Sequence, residues 1–174
     1  MKLQTKQHLL ALGFLLGASS GLAAQNGFDT IDVPGAANTQ AWGINMRGDT
    51  VGFYASADKV NHGFLLSRGR FTSIDIPGAS STLANGISPR GDIVAEYTLN
   101  GVLHGVLLSG VTSTPIDVPG ATGTEPIGIN AHGDIVGDYV TDDKVTHGFL
   151  LSAGHFKTID FPGATMTIDR KSVV

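Results

Sequence analysis

Three histidines, His62, His104 and His147, open the near-identical segments HGFLLS (62–67), HGVLLS (104–109) and HGFLLS (147–152). Three imidazoles brought to one axis, with a fourth position open, have the composition of a catalytic zinc site. The same regularity serves a plainer chemistry. Asp32, Asp75, Asp117 and Asp160 recur in step with the histidines. A carboxylate accepts an imidazole N–H from a neighbouring strand. The spacing forms no local ligand motif, so the histidines and aspartates are expected to be structural, with no metal and no cofactor.

Other reactive side chains follow the same logic. Asp49, Asp92 and Asp134 stand after turn glycines, but the D-x-[DN]-x-[DN]-G calcium loop is absent. Turn chemistry alone explains Asp and Asn there. Serine, histidine and aspartate are all present, yet there is no GxSxG elbow and each candidate base is copied from repeat to repeat. A catalytic centre breaks repeat symmetry, and the breakers here are Trp42, Glu96, Glu125 and His132. Glu96 and Glu125 have the residue types of an acid/base pair, but no spacing supports that role. An enzyme is not expected, and a secreted hydrolase is the distant alternative. Tyr54, Tyr97 and Tyr139, the only tyrosines, occupy one repeated position and are expected to pack within the fold with bonded hydroxyls.

These residues are positioned by a repeat. IDVPGA (31–36), IDIPGA (74–79), IDVPGA (116–121) and IDFPGA (159–164) step by 43, 42 and 43 residues. WGINMRGDTVGFY (42–54), NGISPRGDIVAEY (85–97) and IGINAHGDIVGDY (127–139) keep that step. Period-two alternation marks strands, and Pro-Gly suits a type II turn. The expected fold is all-β, with three four-stranded antiparallel propeller-like repeats of about 43 residues and a partial fourth. The units are 28–70, 71–112, 113–155 and 156–164. Link lengths phase the sheets at about 42–77, 85–119 and 127–162, leaving a first strand at 28–33 without a sheet. A β-trefoil or β-prism is the alternative, because three repeats also build three-fold bodies.

The chain begins with Lys2 and Lys6, an apolar run and small residues, the form of a secretory signal peptide over 1–24. A single β-repeat domain is expected over 25–164 and a divergent tail over 165–174. Loss of the leader leaves nine basic and 15 acidic side chains, which argues against nucleic acid and anionic membrane surfaces. The absence of cysteine excludes a disulfide framework. The mature protein is expected outside the cytoplasm, secreted, extracellular or periplasmic, with no membrane insertion after cleavage.

The pattern G-I-N-x-x-G-D-I-V-G-x-Y followed by H-G-F-L-L-S-x-G-x-F-x-x-I-D-x-P-G-A resembles the HAF-repeat family of extracellular repeat proteins across residues 28–164. Here the His-Ala-Phe motif takes a glycine-bearing form. The resemblance implies secretion and a β-rich repeat body, and it carries over no catalytic residue. The expected function is binding or adhesion to an extracellular ligand, glycan or protein, through loops at 37–42, 80–85 and 122–127. These segments have equal length and divergent chemistry, as exposed loops on a fixed scaffold do. Candidate binding residues are Asn38, Gln40, Trp42, Asn85, Glu125 and Ile127, with Trp42 as anchor. The alternative is a structural unit that assembles through sheet edges, as a homo-oligomer.

Overall fold

The computed structural model describes residues 29–162, and its contacts divide the chain into Met1–Thr30 and Ile31–Val174. The expected leader and the divergent tail lie outside the described residues. Of the first unit only Asp29 and Thr30 are described, and neither belongs to a strand.

The described part of the second unit holds twelve strands and no helix. They are β1 (Asn38–Ile44), β2 (Thr50–Ala55), β3 (Asn61–Ser67), β4 (Arg70–Ile74), β5 (Ser81–Ile87), β6 (Ile93–Leu99), β7 (Val102–Ser109), β8 (Thr112–Pro115), β9 (Gly123–Ile129), β10 (Ile135–Val140), β11 (Thr146–Ser152) and β12 (His155–Ile159). Each set of four pairs in sequence order as an antiparallel meander. The first meander is a separate four-stranded sheet. The second and third share an eight-stranded sheet through one parallel pairing, Leu103 of β7 with Gly123 of β9. Among the described residues no barrel closes, which separates this body from a β-trefoil.

The expected turns are present. Ala36, Ala79 and Ala121 each donate a backbone N–H to Val33, Ile76 and Val118. The intervening Gly35, Gly78 and Gly120 have φ of 80°, 84° and 81°, the left-handed geometry that a type II turn requires at its third residue. The connections between meanders contain these turns, at 75–80 and 116–122. Thr82 and Thr124 are buried and accept the N–H of Ile76 and Val118, fixing each crossing to the strand that follows it.

Two expectations change. The segment 28–33 was expected as a strand, but its described residues form none. The segments 37–42, 80–85 and 122–127 were expected as loops, yet nearly all of their residues lie in β1, β5 and β9. A β-bulge explains why the first part of each of these strands was hidden. Register shifts between Ala41 and Gly43, between Ala84 and Gly86, and at Ile127 between Pro126 and Gly128. Trp42, Asn85 and Ile127 are therefore the extra residues, and an extra residue breaks the alternation that marks a strand.

Packing between meanders repeats one contact. Val51 of the first meander packs in a cluster with Ala84, Ile87 and Ile93 of the second. Val94 of the second packs in a cluster with Ile129, Ile135 and Phe149 of the third. Strand β1 lies against β5, and β5 against β9, while β1 and β9 share no comparable packing. The three meanders thus form an open series with two unlike ends.

Candidate functional site

The repeated histidines build three copies of one device on the third strand of each meander. His62 Nδ1 lies 2.7 Å from Asp75, His104 Nδ1 3.0 Å from Asp117, and His147 Nδ1 2.9 Å from Asp160. Each imidazole stacks on the tyrosine opposite it, Tyr54, Tyr97 or Tyr139, with ring centroids 5.2–5.3 Å apart. Tyr54 and Tyr139 bond Ser73 and Thr158 through their hydroxyls. Among the described residues no group of three or more histidines and carboxylates is arranged to hold a metal ion. Replacing His104 by Ala is expected to cost about 1 kcal/mol, the worth of one partly exposed hydrogen bond. A chelator should leave the melting temperature unchanged; a melting curve with and without chelator checks both.

A second repeated device was missed at the sequence level. The serine that ends each HGFLLS-like strand donates to the turn aspartate: Ser67 to Asp49, Ser109 to Asp92 and Ser152 to Asp134, each at 2.6 Å. Asn45 and Asn130 bridge the same turns, accepting two backbone N–H groups through Oδ1 and donating Nδ2 to the aspartate. The Ser67 hydroxyl, then the Asn45 amide, lowers Asp49 to about 2. Asp92 and Asp134 shift in the same direction, with Ser109 and Ser152 as the leading causes. The signal was present as the invariant final serine of three copied strands.

The repeat-breaking carboxyls meet between the second and third meanders. Glu96 of β6 is nine-tenths buried and interacts with Glu125 of β9, with Asn85 of β5 and with the charge of Asp138 of β10. Glu125 and Asp138 are cross-strand partners. Phe53 holds the corresponding place in the first meander, so the cluster belongs to one junction only. Burial first, and the Glu125 charge second, push the Glu96 carboxyl up to about 7. Glu96 Oε2 and Asn85 Oδ1 are buried without a hydrogen-bond partner. Both are acceptors, and a proton on Glu96 adds a donor among them. The group can therefore exchange a proton close to neutral pH.

The six candidate binding residues do not form one loop cluster. Asn85 is buried and donates Nδ2 to the Pro126 carbonyl at 2.8 Å, a structural tie between meanders. Glu125 and Ile127 are half-buried at the same junction, between the second and third meanders. Asn38, Gln40 and Trp42 remain exposed along β1. Trp42 is 48% exposed, with its ring edge-on to Phe53 at a centroid distance of 4.9 Å. Beside it Ile44 is 70% and Met46 92% exposed, whereas Ile87 and Ile129, which correspond to Ile44, are 8% and 7% exposed. Among the described residues no meander covers this place in the first as one does in the other two, which leaves Trp42, Ile44 and Met46 exposed within one short stretch of the chain. Compared with known proteins, the chain matches no family model and no curated sequence.

Proposed function

We propose that the chain is a secreted, propeller-like β-repeat binding module that recognises an extracellular partner through the uncovered face of the first meander. One observation carries this reading: the same isoleucine is buried twice and left open once, at Ile44. An apolar patch of this kind marks an interaction surface. Trp42 at its edge supplies the aromatic anchor that interface centres favour. Ile44 and Met46 favour a protein partner over a glycan. Secretion rests on the leader form of residues 1–24 and on the resemblance to the HAF-repeat family.

The test uses mature protein from culture medium, whose first residue should be Ala24 or Gln25. It is presented to immobilised glycans and to extracellular protein extracts beside Trp42→Ala and Ile44→Asp. A partner retained by the parent protein should be lost by both variants, with melting temperatures nearly unchanged. Retention by both variants would place recognition elsewhere. A large loss of stability in Trp42→Ala would mark the indole as core.

A further inference from the structure

We infer that the partner on this face is a second copy of the chain. The third meander of one copy packs on the first meander of the other, and the reverse, so that two open series close into one body of six. This rests on the proposal that the uncovered β1 face is the recognition surface, and it specifies the occupant.

The chain already forms this interface twice within itself. At each junction a valine from the second strand of one meander shares a core cluster with an isoleucine from the first strand of the next, Val51 with Ile87 and Val94 with Ile129. Glycines let the first strands come close. A Cβ on Gly43 would lie 3.3 Å from Gly86 Cα, and one on Gly86 would lie 3.3 Å from Gly128 Cα. Polar groups tie the hairpin turns in the same direction. Asn45 donates Nδ2 to the Ser88 carbonyl and Arg47 donates to the Pro89 carbonyl. The Arg90 guanidinium likewise reaches the turn of the third meander, 3.6 Å from where a Cβ on Gly133 would stand.

Among the described residues, the two ends of the series are the unused halves of this interface. The first meander leaves open the receiving half, Ile44 and Met46. The third leaves the offering half, with Val136 only half-buried where Val51 and Val94 are fully buried, and with His132 exposed in the place of Arg47 and Arg90. These halves fit each other and not themselves. Pairing two first meanders would set Ile44 against Ile44 and leave Val136 without its counterpart. The numbers fit as well. Closed propellers have about four to eight blades, and the described meanders of two copies supply six. A head-to-tail contact that closes gives a defined ring, and one that does not gives filaments.

The absence of cysteine makes the test clean. Met46→Cys and His132→Cys, both at exposed sites, are purified separately and treated with a short bis-maleimide, alone and mixed. Light scattering should give twice the monomer mass at micromolar concentration, and covalent dimer should appear only in the mixture. Ile44→Asp and Val136→Asp should each weaken the dimer by at least roughly tenfold, with far-UV circular dichroism unchanged. Covalent dimer from Met46→Cys alone would mean two first meanders face to face and would overturn the head-to-tail contact. Masses that climb without limit would overturn closure. A strict monomer that still captures an extracellular partner through Ile44 would overturn the second copy while leaving the recognition face standing.

Discussion

Glu96→Gln should stabilise the protein at pH 8 by on the order of 3 kcal/mol and flatten the dependence of stability on pH above pH 5. The Glu96 carboxyl is raised from 4.5 to about 7 by burial and by Glu125. Each pH unit between the folded and unfolded pKa corresponds to about 1.4 kcal/mol. A carboxyl whose folded pKa is raised binds more protons in the folded state. Its contribution is therefore complete below the unfolded value near 4.5 and is lost as pH rises through about 7. Glutamine keeps the shape of the protonated acid and cannot ionise, so the loss disappears. For a body of this size the gain corresponds to a rise of roughly 10 °C in Tm at pH 8, with little change at pH 4. Asp49, Asp92 and Asp134 act with the opposite sign. Their lowered values mean that stability falls as pH drops below the ordinary carboxylate range, in the parent protein and in Glu96→Gln alike. Thermal melts from pH 3 to pH 9 separate the two limbs. An unchanged high-pH limb in the variant would show that Glu96 is not the group that titrates.

Gly105→Ala is expected to cost about 1–3 kcal/mol, the range for overpacking a filled interior. An alanine Cβ would stand 2.5 Å from the Ile116 carbonyl oxygen and 2.8 Å from Pro126 Cδ. Neither neighbour is free to yield. The Gly105 carbonyl accepts from Ile116, the Gly105 N–H donates to Asp117, and Pro126 is fully buried at the junction with the third meander. Gly123→Ala is the control, since its Cβ would meet only Leu103, with the Leu103 Cβ at 3.5 Å. Urea melts of the two variants should differ by at least about 1 kcal/mol. Equal stability would mean that the second and third meanders are not packed as closely as described.

This glycine shows how much the sequence revealed. His-Gly-Val at 104–106 was legible as part of a copied strand, but the neighbours that exclude alanine at Gly105 lie 11 and 21 residues away. The repeat, the Pro-Gly turns and the alternating strands β2, β3, β6, β7, β10 and β11 were readable because each rests on local periodicity or local turn chemistry. Of β1, β5 and β9 only the ends from Trp42, Asn85 and Ile127 onward were, since the bulges there interrupt the alternation and make the residues before them resemble drifting loops. The meeting of Glu96 with Glu125 was equally hidden. They occupy different places in their own repeats, and only the packing of the third meander on the second brings them together. Trp42 was singled out because no other repeat has an indole there, and it proves to lie on the open end, where packing sets no requirement.

The most direct measurement is the fluorescence of Trp42, the single tryptophan, which sits on the face proposed for recognition. At concentrations where the protein is monomeric, its emission should be red-shifted and strongly quenched by acrylamide. As copies associate, or a partner binds, the emission should move to the blue and quenching should fall, with the midpoint matching that of the mass change. Ile44→Asp should stay red-shifted and quenchable at every concentration. Blue-shifted, protected emission from the monomer, lost only on unfolding, would contradict the open first-meander face on which the proposed function depends.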